Sequence, residues 1–164
     1  MVPPNPELER RICEYATMRG CTLIDFLGGG NDGDVWKSDR QSAIKAFYSD
    51  KNFVMELNSY LRLRSYGVTE ILKMAVPRLV EWDEGLRVVE VDIVTPPCII
   101  DFGKSYLDSA PDHSEETWQE HDEHQKEMWG ERYGDVQAVL WKLQELGIIY
   151  RDASPKNIIF GPLP

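Results

Sequence analysis

The sequence predicts an α+β protein, with a five-stranded antiparallel sheet and a helix in the first 94 residues and a mainly helical remainder. Three observations carry this reading. Short apolar runs separated by turn residues fill positions 22–47 and 77–94, and antiparallel neighbours need only such tight connections. Between these runs, and again after residue 114, apolar residues recur at helical spacing. The third is a glycine-rich segment, Leu27-Gly28-Gly29-Gly30-Asn31-Asp32-Gly33-Asp34-Val35, set between two strand-like runs.

Taken in order, Pro3 to Pro6 reads as an extended arm. Residues 7–19 carry Leu8, Ile12, Tyr15 and Ala16 on one helical face, and Gly20 is placed to stop the helix. Residues 22–26 form the strand that enters the glycine segment; 35–38 and 42–47 follow as two strands around the turn 39–41. Ser49 or Asp50 caps a helix running to about Arg64, with Phe53, Glu56, Leu57, Tyr60, Leu61 and Leu63 at helical spacing. Strands 77–82 and 86–94 flank the turn 83–85, and Pro96-Pro97 opens a connector. Ser114 caps a long helical region ending at Leu146-Gly147, with a break at Gly130 or Gly134. Residues 148–151 and 157–160 flank the polar loop 152–156.

Composition narrows the function classes. At 164 residues the chain reads as one domain, long enough to bury roughly 70% of its unfolded surface. With 28 acidic against 18 basic residues, the net charge of −10 speaks against nucleic acid or an anionic membrane as partner. No apolar run reaches the roughly 18 residues of a membrane span. The N-terminus lacks the pattern of a secretory signal. Cys13, Cys21 and Cys98 are odd in number and unpatterned, which suits free thiols in a cytoplasmic protein.

The chemistry concentrates in two stretches. Gly28, Gly30 and Gly33 have the spacing G-x-G-x-x-G, and glycine there lets backbone N–H groups approach a phosphate closely. Lys45, on the next strand but one, can reach that phosphate as a point charge. The same glycine spacing marks dinucleotide folds and ordinary turns, but a dinucleotide fingerprint opens a helix, whereas here strands lie on both sides. This arrangement resembles the nucleotide-binding lobe of the protein kinase-like fold. Glu56, Tyr60 and Leu63 also match an E-x-x-x-Y-x-x-L pattern of small, bacterial-type kinase-like proteins. The resemblance implies ATP with magnesium. Gly28, Gly30 and Gly33 would cover the phosphates, Lys45 and Glu56 would hold them, and Val35 and Ala43 would line the adenine pocket beside backbone groups of residues 91–94. Taken singly, Lys45 also reads as an edge-strand lysine and Glu56 as a solvated helix residue.

The second stretch, Tyr150-Arg151-Asp152-Ala153-Ser154-Pro155-Lys156-Asn157, resembles the kinase catalytic loop. Carried over, Asp152 is the base that accepts the proton of the attacking hydroxyl, and Asn157 is a metal ligand. The family's histidine and lysine are Tyr150 and Ser154 here. A polar loop between strands is the plainer alternative. The resemblance divides the chain into a lobe with an N-terminal helical arm (1–94) and a hinge connector, acidic helix and reduced lower part (95–164). It covers only the first half or so of a kinase, which fits a natural minimal member and a piece of a longer chain alike.

Asp101-Phe102-Gly103 falls about fifty residues before that loop, whereas a kinase carries this tripeptide, with its magnesium-binding Asp, just after it. Its position in the connector predicts a chance match away from the phosphates. Without a second acid after Asp152, the chain is expected to transfer phosphate poorly. The readings are therefore a nucleotide-binding phosphotransferase of weak or absent activity, a pseudokinase or scaffolding module, or an interaction domain using the segment 108–131. That segment has nine acidic residues against Lys126, with His113, His121 and His124 among them, and reads as a solvated helix before a docking or metal site. The apolar positions Val136, Val139, Leu140, Leu143 and Leu146 predict an exposed helix face, to be covered by a second copy, a protein partner or the connector.

Overall fold

A computed structural model describes residues 3–151 and 153–161. Helix α1 (Pro6–Arg19) starts at Asn5, whose side-chain oxygen accepts from the Glu7 and Leu8 N–H groups, and ends at Gly20 with φ +63°. Strands β1 (Leu23–Gly29), β2 (Gly33–Ser38) and β3 (Ser42–Phe47) form a meander. Helix α2 (Asp50–Ser65) follows, with Ser49 accepting from the Asn52 N–H. After the short β4 (Glu70–Ile71) and β5 (Met74–Ala75), the hairpin β6 (Leu79–Asp83) and β7 (Val88–Asp92) returns to the sheet. The order is β1-β2-β3-β7-β6, antiparallel throughout as expected; tight turns make the β1–β2–β3 meander and the β6–β7 hairpin, while β3 and β7 pair across some forty residues.

The lower part runs β8 (Cys98–Ile99), β9 (Ser105–Leu107), α3 (Glu115–Trp129), a 3-10 turn Gly130–Arg132, α4 (Tyr133–Glu145), β10 (Ile148–Tyr150) and β11 (Ile158–Ile159). The helical break falls at Gly130, where φ is +49°. Two small sheets tie these pieces together. β9 pairs with β10 (Leu107 opposite Ile148), and β8 pairs with β11 (Ile99 opposite Ile158) and, in parallel, with β5. β4, β5, β8 and β9 are absent from the sequence reading because two or three residues carry no measurable period.

Side chains of α1 pack on one face of the large sheet, with Leu8, Ile12 and Tyr15 against Ile44, Ala46 and Val88. Glu90 is buried in that layer and fully occupied: Tyr15 and Arg19 donate to one oxygen at 2.9 and 3.3 Å, and Ser42 to the other at 2.5 Å. The main core joins Phe53, Leu57, Tyr60 and Leu63 of α2 to Val89, Phe102, Ile148 and Ile158. It also takes in Val136, Val139 and Leu143 of α4, all buried, with Leu140 and Leu146 packed partly buried against it. The exposed face expected on this helix is thus corrected: β10 and β4 pack against α4 from within the chain. Each such side chain contributes roughly 1.5–3 kcal/mol on burial. Arg62 of α2 donates to both oxygens of Asp108 and to the Leu146 carbonyl, each at 2.9 Å, pinning the helix to the lower part. Among the described residues no helix is long and apolar enough to cross a membrane.

Candidate functional site

A cleft of about 1050 Å3 opens between the large sheet and the lower part. Its apolar wall includes Leu27, Val35, Ala43, Val89, Val91 and Ile100, with Met128 of α3 on the other side. Gly28, Gly30 and Gly33 line it through the β1–β2 turn, closed by the Gly30 N–H donating to the Gly33 carbonyl at 3.0 Å. The glycines differ in what requires them. Gly28 has φ +147°, which side chains disfavour, and a Cβ on it would meet open space. A Cβ on Gly33 would lie 1.9 Å from the Ala46 carbonyl oxygen, so there glycine lets β2 lie against β3.

The turn is held at its tip. The Asp32 carbonyl accepts from the Tyr48 N–H at 3.0 Å, and its carboxylate accepts from the Asn52 amide at 2.8 Å, linking the glycine segment to the first turn of α2. Lys45 projects from β3 between two carboxylates. Its Nζ is 2.6 Å from Glu56 Oε2 and 3.6 Å from Asp101 Oδ2. Burial opposes the Lys45 charge, but Glu56 and then Asp101 outweigh it and hold the ammonium above its ordinary range. Burial pushes the Glu56 carboxyl up to about 7 against the pull of Lys45. Burial and then the Glu56 charge raise the Tyr60 hydroxyl well above the tyrosine range.

Asp101 is where the structure departs most from the sequence reading. It lies in the cleft beside Lys45, not at the far edge of the connector. The reason is strand pairing. β8 against β11 and β9 against β10 set loop 100–104 alongside residues 153–157, although some fifty residues separate them. The Ile100 N–H donates to the Asn157 carbonyl at 2.8 Å, so Asp101 and Asn157 follow from neighbouring backbones. Phe102 is fully buried, edge-on to Tyr60 at 5.4 Å and tilted against Tyr150 at 5.7 Å. The Gly103 N–H donates to Asp101 Oδ1 at 3.1 Å, and the Ser105 hydroxyl donates to the Phe102 carbonyl at 2.6 Å. The loop carrying the Asp is therefore anchored by its own neighbours.

Of the residues expected from the sequence, Gly28, Gly30, Gly33, Val35, Ala43, Lys45, Glu56 and Asn157 all line this cleft. Asp152 lies outside the described residues. Asp101, Tyr60, Lys104 and Met128 also line it without having been assigned to it. For Asp101 the signal was present as Asp-Phe-Gly, but its order along the chain argued against it. Glu90, one residue before the 91–94 stretch, turns to the α1 side, where the Tyr15 hydroxyl donates to it, and β7 ends at Asp92.

The architecture is α+β, a five-stranded antiparallel sheet with a mainly helical lower part, as the sequence predicts. No family model and no curated protein matches the sequence. Among solved structures, the streptomycin–ATP–APH(2")-IIa ternary complex is similar at a TM-score of 0.41 and 14% identity, over 79% of this chain and 38% of that one. The gentamicin–APH(2")-IIa complex gives 0.42 and 14%, over 79% of this chain and 36% of that one. The chain thus spans little more than a third of the proteins it is similar to.

Proposed function

We propose that the cleft binds ATP with magnesium and that the protein is a kinase-like phosphotransferase. The observation that carries this is Lys45 held between Glu56 and Asp101, under the glycine turn. Backbone N–H groups at Gly28, Gly30 and Gly33 cover the phosphates, and Lys45 donates to their oxygens while Glu56 fixes its position. Val35 and Ala43 line the adenine pocket, and backbone groups of residues 91–94 read the base edge.

The donor set suits magnesium. Asp101 and Asn157 offer hard oxygen ligands from adjacent backbones, and magnesium is commonly bound by one or two carboxylates completed by phosphate oxygens and water. When bound, magnesium neutralises charge on the transferring phosphoryl oxygens. Asp152 accepts the proton of the acceptor hydroxyl. With Asp101 beside Lys45, the main ground for expecting weak transfer falls away.

A second reading, nucleotide binding without transfer, is favoured by Ser154 standing where the resemblance expects a lysine. ATP titration with and without magnesium, read by thermal shift, tests the binding. A ligand at 100 times its Kd stabilises by about 2.7 kcal/mol, and no shift would reject the nucleotide. Labelled-ATP turnover beside Asp152→Asn then separates transfer from binding alone.

A further inference from the structure

We propose that Gln125 is a positioning residue for the loop segment 153–157, and that one face of the acidic helix α3 is a brace for that segment. This rests on the phosphotransferase reading only for its catalytic consequence. Gln125 is 5% exposed in an otherwise solvated, charged stretch of helix. Its Nε2 donates to the Ala153 carbonyl at 3.2 Å, and its Oε1 accepts from the Trp129 indole N–H at 2.9 Å. An indole N–H can only donate, so it fixes which end of the amide faces the loop. Ala153 is itself buried, and its carbonyl would lose a protein partner if Gln125 could not donate.

Two further contacts lie on the same helix face. Trp118, seven residues before Gln125, stacks under the Arg151 guanidinium at 3.8 Å, and Trp129, four residues after it, meets Phe160 edge-on at 6.0 Å. The spacing 118, 125, 129 brings all three to one side of α3. The loop is thereby gripped before, at and after Ala153. Within the loop, the Asn157 and Ile158 N–H groups both donate to the Ser154 carbonyl at 2.9 Å.

The test uses the full chain with Gln125→Met, which keeps the side-chain volume but cannot donate, and Gln125→Glu. The glutamate accepts from Trp129 and can donate to Ala153 only when protonated. Amide hydrogen exchange at Asn157 and Ile158 is read against strand β3. The expected result is about tenfold faster exchange in the loop, with β3 unchanged. In Gln125→Glu, protection relative to the parent chain recovers as the pH falls. Turnover at saturating ATP falls by up to about a hundredfold, while ATP affinity stays within about twofold, because Gln125 does not line the cleft. Unchanged loop exchange in both folded variants overturns the proposal, as does protection in Gln125→Glu that ignores pH. If the parent chain transfers no phosphate, the phosphotransferase reading falls, and the exchange measurements still decide the brace.

Discussion

Two carboxylates meet the same ammonium, and their surroundings give them different work. Glu56 sits on a capped helix, is almost fully buried, and makes a 2.6 Å hydrogen bond to Lys45. Asp101 sits on a loop between two very short strands, is partly exposed, and stands 3.6 Å away. A buried, hydrogen-bonded pair is costly to break because it leaves a charge without a partner. A looser, wetter contact can be exchanged for a ligand at little cost. The helix side therefore fixes the cation, and the loop side is free to turn toward phosphate and metal.

The largest expected effect breaks the fixed side. Lys45→Met leaves Glu56 buried beside Asp101 without a cation, and should lower stability by about 3 kcal/mol near pH 8. The loss should shrink as the pH falls and Glu56 takes up a proton, as urea unfolding at two pH values would show. Equal losses at both would mean that Glu56 finds another partner.

Asp101→Asn sharpens the contrast. It should cut labelled-ATP turnover by roughly a hundredfold or more and weaken the magnesium dependence of ATP binding, with little change in the unfolding midpoint. A large loss of stability with turnover intact would move Asp101 to the structural side of the comparison.

Glu56→Gln should alter the pH dependence of stability. The native carboxyl is raised from 4.5 to about 7, so the folded protein holds this proton more tightly than the unfolded chain. From this group alone, stability is greatest below the ordinary carboxylate range and declines as the pH rises to about 7. Thermal melts across that window should be flatter in the variant.

The smallest effect concerns the turn tip. Asp32 adds a negative charge to the cleft and is held by Asn52. Asp32→Asn should improve metal-free ATP binding by about threefold, with less effect when magnesium is present. Calorimetric titration with and without chelator would read this difference, and weaker metal-free binding would mean that the Asn52 latch matters more than the charge.

How much of this could be read in advance differs between the same two sides. The path from Gly28 through Lys45 to Glu56 crosses only tight turns and one capped helix. Such connections leave few alternatives for which residues meet, so glycine spacing, strand alternation and the Ser49 cap sufficed. The Asp101 side depends on pairings of two- and three-residue strands across some fifty positions. Strands that short have no alternation to detect, and their partners are chosen by closing a long loop around a common core. The α4 stripe shows the same division: its apolar spacing was legible, while its cover by β10 and β4 was not.

The sequence by itself determined the β1–β2–β3 meander, the β6–β7 hairpin, the glycine turn and the pairing of Lys45 with Glu56, because each is set by local propensity and short connections. Only the tertiary structure decided that Asp101 reaches the cleft and that Gln125 and its helix face grip the loop after residue 152. Those contacts join residues distant in the chain, and their formation depends on the packing of the whole core, not on any local pattern.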